Sequence, residues 1–127
     1  MKKSDARLIE MGVPSKFLMQ TAGEAICSNA ALKHPVAIVC GSGNNAGDGY
    51  AAAAHLKDMG EDPTVFILSD KFSEDGKYFY DKCKEKNVKI HVWTVNDTEH
   101  IRQMINVGVD AVITNYPDRG VQVRDEM

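Results

Sequence analysis

The chain has 127 residues, of which 43% are hydrophobic and 26% charged, a composition typical of one soluble globular domain. Charges of both signs are spread along the sequence and sum to −3 without a basic stripe, so nucleic-acid binding is not expected. No apolar run approaches the roughly 20 residues of a membrane span, and the N-terminus lacks the apolar core of a signal peptide. We therefore expect a cytoplasmic protein without membrane contact.

The first half of the chain predicts alternating helices and strands. Apolar residues at three- and four-residue steps after Ser15 predict a helix, and the second helix of the chain is expected to end near His34 and Pro35. The run VAIVC, residues 36–40, is typical of a strand buried on both faces of a parallel sheet. The stretch GYAAAAHLKDMG predicts a helix closed by Gly60, and PTVFILS, residues 63–69, predicts the second strand.

The second half continues the same alternation. Ser73 is placed to cap a helix that leads into the strand VKIHVW. Asn96, with Glu99 three positions later, indicates another helix start, and Gly108 ends that helix before the strand VDAVIT. Strands alternating with helices predict βαβ units with right-handed crossovers. The expected fold class is α/β: a three-layer α/β/α sandwich, Rossmann/flavodoxin-like, with about four parallel strands in a single domain over residues 1–127.

The glycine-rich stretch VCGSGNNAGDGYAAAAHL, residues 39–56, is the main candidate for chemistry. GSGNNA fits a dinucleotide fingerprint, in which glycines let the backbone approach a pyrophosphate at a helix N-terminus. Asp70 has the spacing expected of the acidic residue that such a site requires. Against this interpretation, Gly47, Asp48 and Gly49 prolong the loop, and a carboxylate at the helix start would repel phosphate.

Two other interpretations of this loop remain open. In a purely structural turn, the glycines provide positive φ angles, Asn44 and Asn45 tolerate the left-handed conformation, and Asp48 caps the next helix. Alternatively, the two carboxamides and the carboxylate offer oxygen ligands for a cation, although three oxygens do not complete a coordination shell.

The cysteines and histidines show no pattern of a disulfide framework or a zinc site. Cys27, Cys40 and Cys83 are odd in number, far apart and without CxxC spacing, so we expect reduced core thiols. His91 and His100 have no partner at ligand spacing, and we expect them to be surface or half-buried side chains.

The longer string GSGNNAGDGYAAAAHL resembles the signature of the NAD(P)H-hydrate epimerase family. The resemblance extends through ARLIEMGVPSKFLMQTAGEAI upstream and DPTVFILSD downstream, and covers roughly residues 1–87. It implies a Rossmann-like fold, NAD(P)H hydrate as the substrate, epimerisation at its hydrated C6 centre, and a potassium ion near the substrate without a required cofactor. Ser42 and Ala46 stand where proline and glycine are usual.

The resemblance also implies roles for residues of the loop. Substrate or phosphate contacts fall on Asn44, Asn45, Gly47, Asp48 and Gly49, and potassium ligation falls on Asn45. Because VDAVIT aligns with a VDA strand of that family, Asp110 is implied as a second potassium ligand. Asp48 is the residue on which any catalytic role would fall.

A second resemblance begins where the first ends. Residues 88–119, VKIHVWTVNDTEHIRQMINVGVDAVITNYPDR, are similar to the last two βα units of glycerophosphodiester phosphodiesterases, which are TIM barrels. The histidines and acidic metal ligands of those enzymes have no counterpart here. Only Trp93, which lines their substrate pocket, and Asn96 carry over, and we expect Trp93 to be largely buried over the end of the sheet.

The simplest interpretation of two families in one chain is an engineered chimera, with an epimerase-like half over residues 1–87 and a barrel-derived segment over residues 88–127. We expect a scaffold without catalytic activity. The alternatives are residual binding of a nucleotide, phosphate or cation at Asn44–Gly49, or weak epimerase activity. The first resemblance implies strand order 3-2-1-4 and the second favours 2-1-3-4, and the oligomeric state is left open.

Overall fold

The computed structural model describes residues 10–29, 32, 33, 35–42, 44–69 and 71–127, with the backbone but not the side chain of Asn44. The predicted role of Asp70 and the predicted helix end beside His34 lie outside these residues. In chain order the elements are α1 Ser15–Asn29, β1 Ala37–Cys40, α2 Asn44–Asp58, β2 Thr64–Ile67, α3 Glu74–Glu85, β3 Lys89–Trp93, α4 Thr98–Asn106, β4 Ala111–Ile113 and α5 Pro117–Glu126. No helix among the described residues is long and apolar enough to span a membrane.

Capping residues set several of these helix limits. Ser73 caps α3 as predicted, because its hydroxyl oxygen accepts a hydrogen bond from the Gly76 N–H at 3.0 Å. The cap of α4 is Asp97 and not Asn96 as predicted, since the Asp97 carboxylate accepts from the His100 N–H at 3.2 Å. The Asn96 side chain instead accepts hydrogen bonds from the loop that follows β4. Helix α5, which begins with Pro117, was not predicted.

The four strands form one parallel sheet in the order β1-β2-β3-β4. The predicted α/β class with a parallel sheet of about four strands is thus confirmed. Both strand orders considered above are wrong: β4 pairs with β3 and not with β1, which excludes 3-2-1-4, and β2 lies between β1 and β3, which excludes 2-1-3-4. The start of β4 is held there by two hydrogen bonds: the Asp110 N–H donates to the Ile90 carbonyl at 2.7 Å, and the Asp110 carboxylate accepts from the Ile90 N–H at 2.7 Å.

One face of this sheet carries the core. Its buried strand residues are Cys40, Val65, Ile67, Ile90 and Val92. They belong to a single apolar cluster to which each described helix contributes, through Met19 of α1, Tyr50 of α2, Tyr80 of α3, Met104 of α4 and Val123 of α5. These helices therefore lie on the same side of the sheet, as right-handed crossovers between consecutive neighbouring strands require.

Trp93 points to the opposite face. Its side chain is 54% exposed, so the expectation that it is largely buried is wrong. The reason is the alternation of side chains along β3, which places Val92 in the core and Trp93 on the face without described helices.

The cysteines are free thiols, as predicted. Cys40 and Cys83 are buried in the core and Cys27 is half-buried. Burial disfavours the thiolate and raises the pKa of both Cys40 and Cys83 to about 12. His91 and His100 are half-buried, also as predicted.

Candidate functional site

The glycine-rich stretch forms a short exposed turn followed at once by a helix. Gly41 and Ser42 are exposed at the carboxyl end of β1, and α2 begins at Asn44. Gly47, Asp48 and Gly49 therefore lie within the first two turns of α2, and the prediction that they prolong the loop is wrong. Asp48 is the fifth residue of α2, so the predicted helix cap at this position is also wrong. The first backbone N–H groups of α2, which have no partner within the helix, face the carboxyl end of β1.

Gly47 and Gly49 allow neighbouring elements to approach α2 closely. A Cβ on Gly47 would lie 2.5 Å from the Met19 thioether of α1, and a Cβ on Gly49 would lie 2.6 Å from the Cys40 Sγ of β1. Neither glycine has a positive φ, and neither does Gly41, so the predicted left-handed turn is not present at these positions. The two helical glycines serve packing rather than loop conformation.

The close approach of α1 to α2 depends on a third glycine. A Cβ on Gly23 would lie 2.7 Å from the backbone nitrogen of Ala52, in the alanine run Ala51–Ala54, which is buried throughout. The Cys27 thiol also donates to the Ala52 carbonyl at 3.5 Å. The sequence showed the alanine run as a strong helix former, whereas the structure shows that its small side chains let two helices touch.

Asn45 connects the start of α2 to an apolar cavity of about 310 Å³ beside β1. This volume is at the lower end of the range for small-molecule sites. The cavity is lined by Ile26, Cys27, Leu32, Val36, Ala37, Ile38, Val39, Asn45, Gly49, Ala52 and Leu56. Asn45 is the polar side chain among them and is exposed. Asp48 is half-buried. It lies three residues after Asn45, and residues at this spacing are neighbours on the surface of a helix.

This arrangement suits an anion next to a ring. The N-terminal end of a 15-residue helix carries a partial positive charge and N–H donors that have no partner within the helix, which together stabilise a phosphate. The adjacent cavity offers apolar contact for an aromatic or nicotinamide-like ring. The Asp48 carboxylate, a turn further along α2, weakens the attraction for an anion.

The two predicted potassium ligands are not brought together. Asn45 follows β1 at one edge of the sheet, and Asp110 precedes β4 at the other edge and at the opposite end of the strands. Neighbouring strands lie about 4.8 Å apart, so the two edges of a four-stranded sheet are separated by about 14 Å. The Asp110 carboxylate is engaged by the Ile90 N–H and lies 3.5 Å from the Lys84 ammonium. Among the described residues, no group of three histidine, cysteine or acidic side chains is placed to hold a metal.

Asn96 ties the ends of β3 and β4 together. Its carboxamide oxygen accepts from the Thr114 hydroxyl at 3.2 Å and from the Asn115 N–H at 2.9 Å. The backbone carbonyl of Asn96 accepts a hydrogen bond from the Arg119 guanidinium at 2.9 Å. The same guanidinium lies 3.9 Å from the ring centre of Tyr116. These bonds give Asn96 a structural role.

Comparisons with known proteins place these features in context. The sequence profile of the family described as "YjeF-related protein N-terminus" matches residues 15–122. The NAD(P)H-hydrate epimerase of Anaerococcus prevotii is 40% identical over 95 residues, which are 71% of this chain and 44% of that protein. The NAD(P)H-hydrate epimerase of Schizosaccharomyces pombe is 34% identical over 112 residues, or 82% and 45% of the two chains. The bifunctional NAD(P)H-hydrate repair enzyme Nnr of Thermofilum pendens is 34% identical over 110 residues, or 80% and 21%.

A solved structure agrees with these relatives. The crystal structure of the yeast protein ynu0 matches with a TM-score of 0.53 and 30% identity, covering 65% of this chain and 40% of that one. The chain thus spans less than half the length of each of these proteins. The family profile also continues past residue 87, where we expected the epimerase resemblance to end, and includes the segment that resembles the phosphodiesterases.

Proposed function

Because the chain belongs to the family of YjeF-related protein N-termini, we propose that it binds a nicotinamide nucleotide such as NAD(P)H hydrate through the phosphates. One observation carries this proposal: the exposed turn at Gly41 and Ser42 leads directly from the end of β1 into the 15-residue helix α2. Parallel α/β sheets bind phosphates at such strand-to-helix junctions.

Each part of the site has a distinct role in this proposal. The N–H groups of the first turn of α2 hold a phosphate, and the Asn45 carboxamide adds a hydrogen bond. The cavity beside Asn45 takes the apolar face of a ring. Gly47 and Gly49 act by keeping α2 close to α1 and β1. Asp48 neighbours Asn45 on the helix surface and faces the same ligand.

We expect binding without epimerisation above the spontaneous rate. The relatives are named epimerases, but here the residues implied as potassium ligands, Asn45 and Asp110, are separated by the width of the sheet. The test is the conversion of R-NADHX to S-NADHX. A rate above the spontaneous one that is lost in Asp48→Ala would show an active epimerase and overturn this expectation.

Binding itself is tested by following backbone amide shifts while ADP-ribose or NADPH is added. Shifts are expected at Gly41–Gly49, and no change at these amides at millimolar ligand would overturn the proposal. The variant Asn45→Asp adds a negative charge in the first turn of α2, so it should stabilise the helix by about 0.3–1 kcal/mol while weakening nucleotide binding several-fold.

A matched control is Asn106→Asp in the last turn of α4, where Asn106 is exposed. A negative charge there opposes the helix dipole and lowers stability by a similar amount. Nucleotide affinity should be unchanged. If both variants change affinity equally, the ligand is not held by the start of α2.

We further propose that residues 88–127 have the origin implied by the second resemblance, in the last βα units of a TIM barrel. The pairing of β3 with β4 supports this, since consecutive strands are neighbours in such barrels. Cross-strand NOEs between Ile90 and Asp110 are expected in solution. Contacts of β4 with β1 in place of β3 would contradict the proposal.

A further inference from the structure

A small cavity lies where α1, α2 and α3 meet, since α1 and α3 both pack against α2. Its volume is about 160 Å³, and it shares no lining residue with the cavity beside Asn45. A water molecule in the liquid occupies about 30 Å³ and covalently bonded atoms pack more closely, so there is room for on the order of six to eight non-hydrogen atoms. This space, here called the interhelix cavity, suits a molecule smaller than a nucleotide.

The floor of the interhelix cavity is apolar. It is formed by Ala51 and Ala54 of α2 and by Phe79 of α3, each of which is at most 6% exposed. The methyl groups of the two alanines leave space above α2 that longer side chains would fill. A floor of this kind accepts a small apolar group of a ligand.

Two opposite charges face the interhelix cavity without meeting each other. Glu24 of α1 accepts a hydrogen bond from the neutral Gln20 side chain at 3.1 Å and forms no ion pair with any described residue. Lys82 of α3 has its ammonium 3.3 Å from the Glu85 carboxylate, in an exposed pair along one helix that contributes little stability. Both Glu24 and Lys82 line the cavity. A ligand between them can therefore engage a carboxylate on one side and an ammonium on the other.

The other polar groups of the interhelix cavity leave it without net charge. Lys86 of α3 is paired with Asp58 of α2 at 2.7 Å, so these two charges offset each other, as those of Glu24 and Lys82 do. His55 of α2 is half-buried and has no hydrogen bond or ion pair to a described residue, so its imidazole is available to a ligand. Within the described ranges, Glu24, His55 and Asp58 do not form a group that could hold a metal ion.

We propose that the interhelix cavity binds a small free α-amino acid with an apolar side chain, such as alanine or valine. Its ammonium group pairs with Glu24, its carboxylate accepts from the Lys82 ammonium and the His55 N–H, and its side chain lies on the apolar floor. A simple anion would meet Glu24 and a simple cation would meet Lys82, whereas a zwitterion is attracted by both. This proposal is independent of the nucleotide site at the start of α2.

Binding is tested by following the backbone amide shifts of the full chain while L-alanine is added at low ionic strength. Saturable shifts are expected at Glu24, His55 and Lys82, with no change at Gly41–Gly49. Propionate keeps only the carboxylate of alanine and ethylamine keeps only its ammonium group. Each should bind about tenfold more weakly than L-alanine, the loss expected when a hydrogen bond to a charged group is removed.

The variants Glu24→Gln and Lys82→Gln each remove one charge and keep a polar side chain. Both should stay folded by circular dichroism, and each should weaken L-alanine binding about tenfold. The matched control is Lys77→Gln. Lys77 lies on the same helix as Lys82 and pairs with Asp81 along it, but it does not line the cavity. The affinity of this control for L-alanine should equal that of the unmodified chain.

Three results would overturn the proposal. The first is the absence of shifts at Glu24, His55 and Lys82 at tens of millimolar L-alanine. The second is binding of propionate or ethylamine as tight as that of L-alanine, which would indicate a site for a single charge. The third is a loss of affinity in Lys77→Gln as large as that in Lys82→Gln, which would indicate a general effect of surface charge.

Discussion

Replacement of Gly49 by alanine tests whether the glycines of the GSGNNAGDG motif serve packing. In α2 the new Cβ would lie 2.6 Å from the Cys40 Sγ and 3.3 Å from the Ile38 Cγ2. Cys40 is 2% exposed and sits in the core, so its sulfur has little space into which it can move. Overpacking of this kind costs typically 1–3 kcal/mol.

The same substitution has an opposing benefit. Alanine favours a helix interior over glycine by about 1 kcal/mol. The net effect should be a loss of about 1 kcal/mol in the free energy of unfolding, the middle of a range of roughly 0–2 kcal/mol. Gly120→Ala is the matched control: Gly120 lies in α5, and the nearest atom to its added Cβ is the Thr114 Cγ2 at 3.9 Å, an ordinary contact. This control should gain about 0.5–1 kcal/mol.

The coupling free energy between Gly49 and Cys40 is measured by urea unfolding of four proteins. These are the unmodified chain, Gly49→Ala, Cys40→Ala and the double variant. Removing the Cys40 sulfur should relieve the clash, so that Gly49→Ala becomes neutral or stabilising in the Cys40→Ala background. The expected coupling is about 2 kcal/mol. The reasoning is refuted if Gly49→Ala alone is as stable as the unmodified chain, or if Cys40→Ala gives no relief.

Four further predictions concern other parts of the molecule. Gly23→Ala should destabilise by about 2–3 kcal/mol in urea unfolding, because its Cβ would meet two backbone atoms and the Cβ of Ala51, none of which can move aside easily, and a neutral effect would contradict the close approach of α1 to α2. A thiol reagent at pH 8 should modify Cys27 in the native chain and reach Cys40 and Cys83 only after unfolding, and rapid reaction of all three would contradict their burial. Burial raises the pKa of each buried thiol from 9.0 to about 12, so its stabilising contribution is complete below pH 9 and is lost as the pH rises towards 12. Unfolding measured from pH 7 to 10.5 should therefore show stability falling above pH 9 by up to about 1.4 kcal/mol per pH unit for each thiol, and a flat profile would contradict this. Asp110→Ala should cost about 1 kcal/mol by removing the bond to the Ile90 N–H, while Asp110→Asn, which keeps an acceptor oxygen, should cost less.

The elements of the fold could be predicted from local patterns, but their order in the sheet could not. The cap at Ser73 and the glycine stops at Gly60 and Gly108 depend on neighbouring residues, and the structure confirms them. The position of β4 depends on Asp110 binding the backbone of Ile90, a contact between residues 20 positions apart that no local pattern shows. Alignment with two families gave two different orders, and neither is present.

The glycine-rich motif predicted the local elements of the candidate site, but not the residue at which its helix begins. The motif did predict a strand, a turn and a helix start in succession. It did not reveal that α2 begins at Asn44, because asparagine and glycine are weak helix formers and tertiary contacts decide the start. The close contacts of Gly47 and Gly49 are likewise invisible in a sequence, where glycine indicates a turn as readily as close packing. Trp93 was mispredicted because its burial depends on which face the helices cover.

The consecutive strand order also has a consequence for how the chain folds. Ala37 pairs with Thr64, Thr64 with Lys89, and His91 with Ala111, separations of 27, 25 and 20 residues. Each new strand joins the one made just before it, so no strand has to insert between two others or wait for a distant segment. For a parallel sheet, such separations favour faster folding than a strand order that pairs segments further apart in the chain. The sheet can grow by one βα unit at a time in the direction of synthesis.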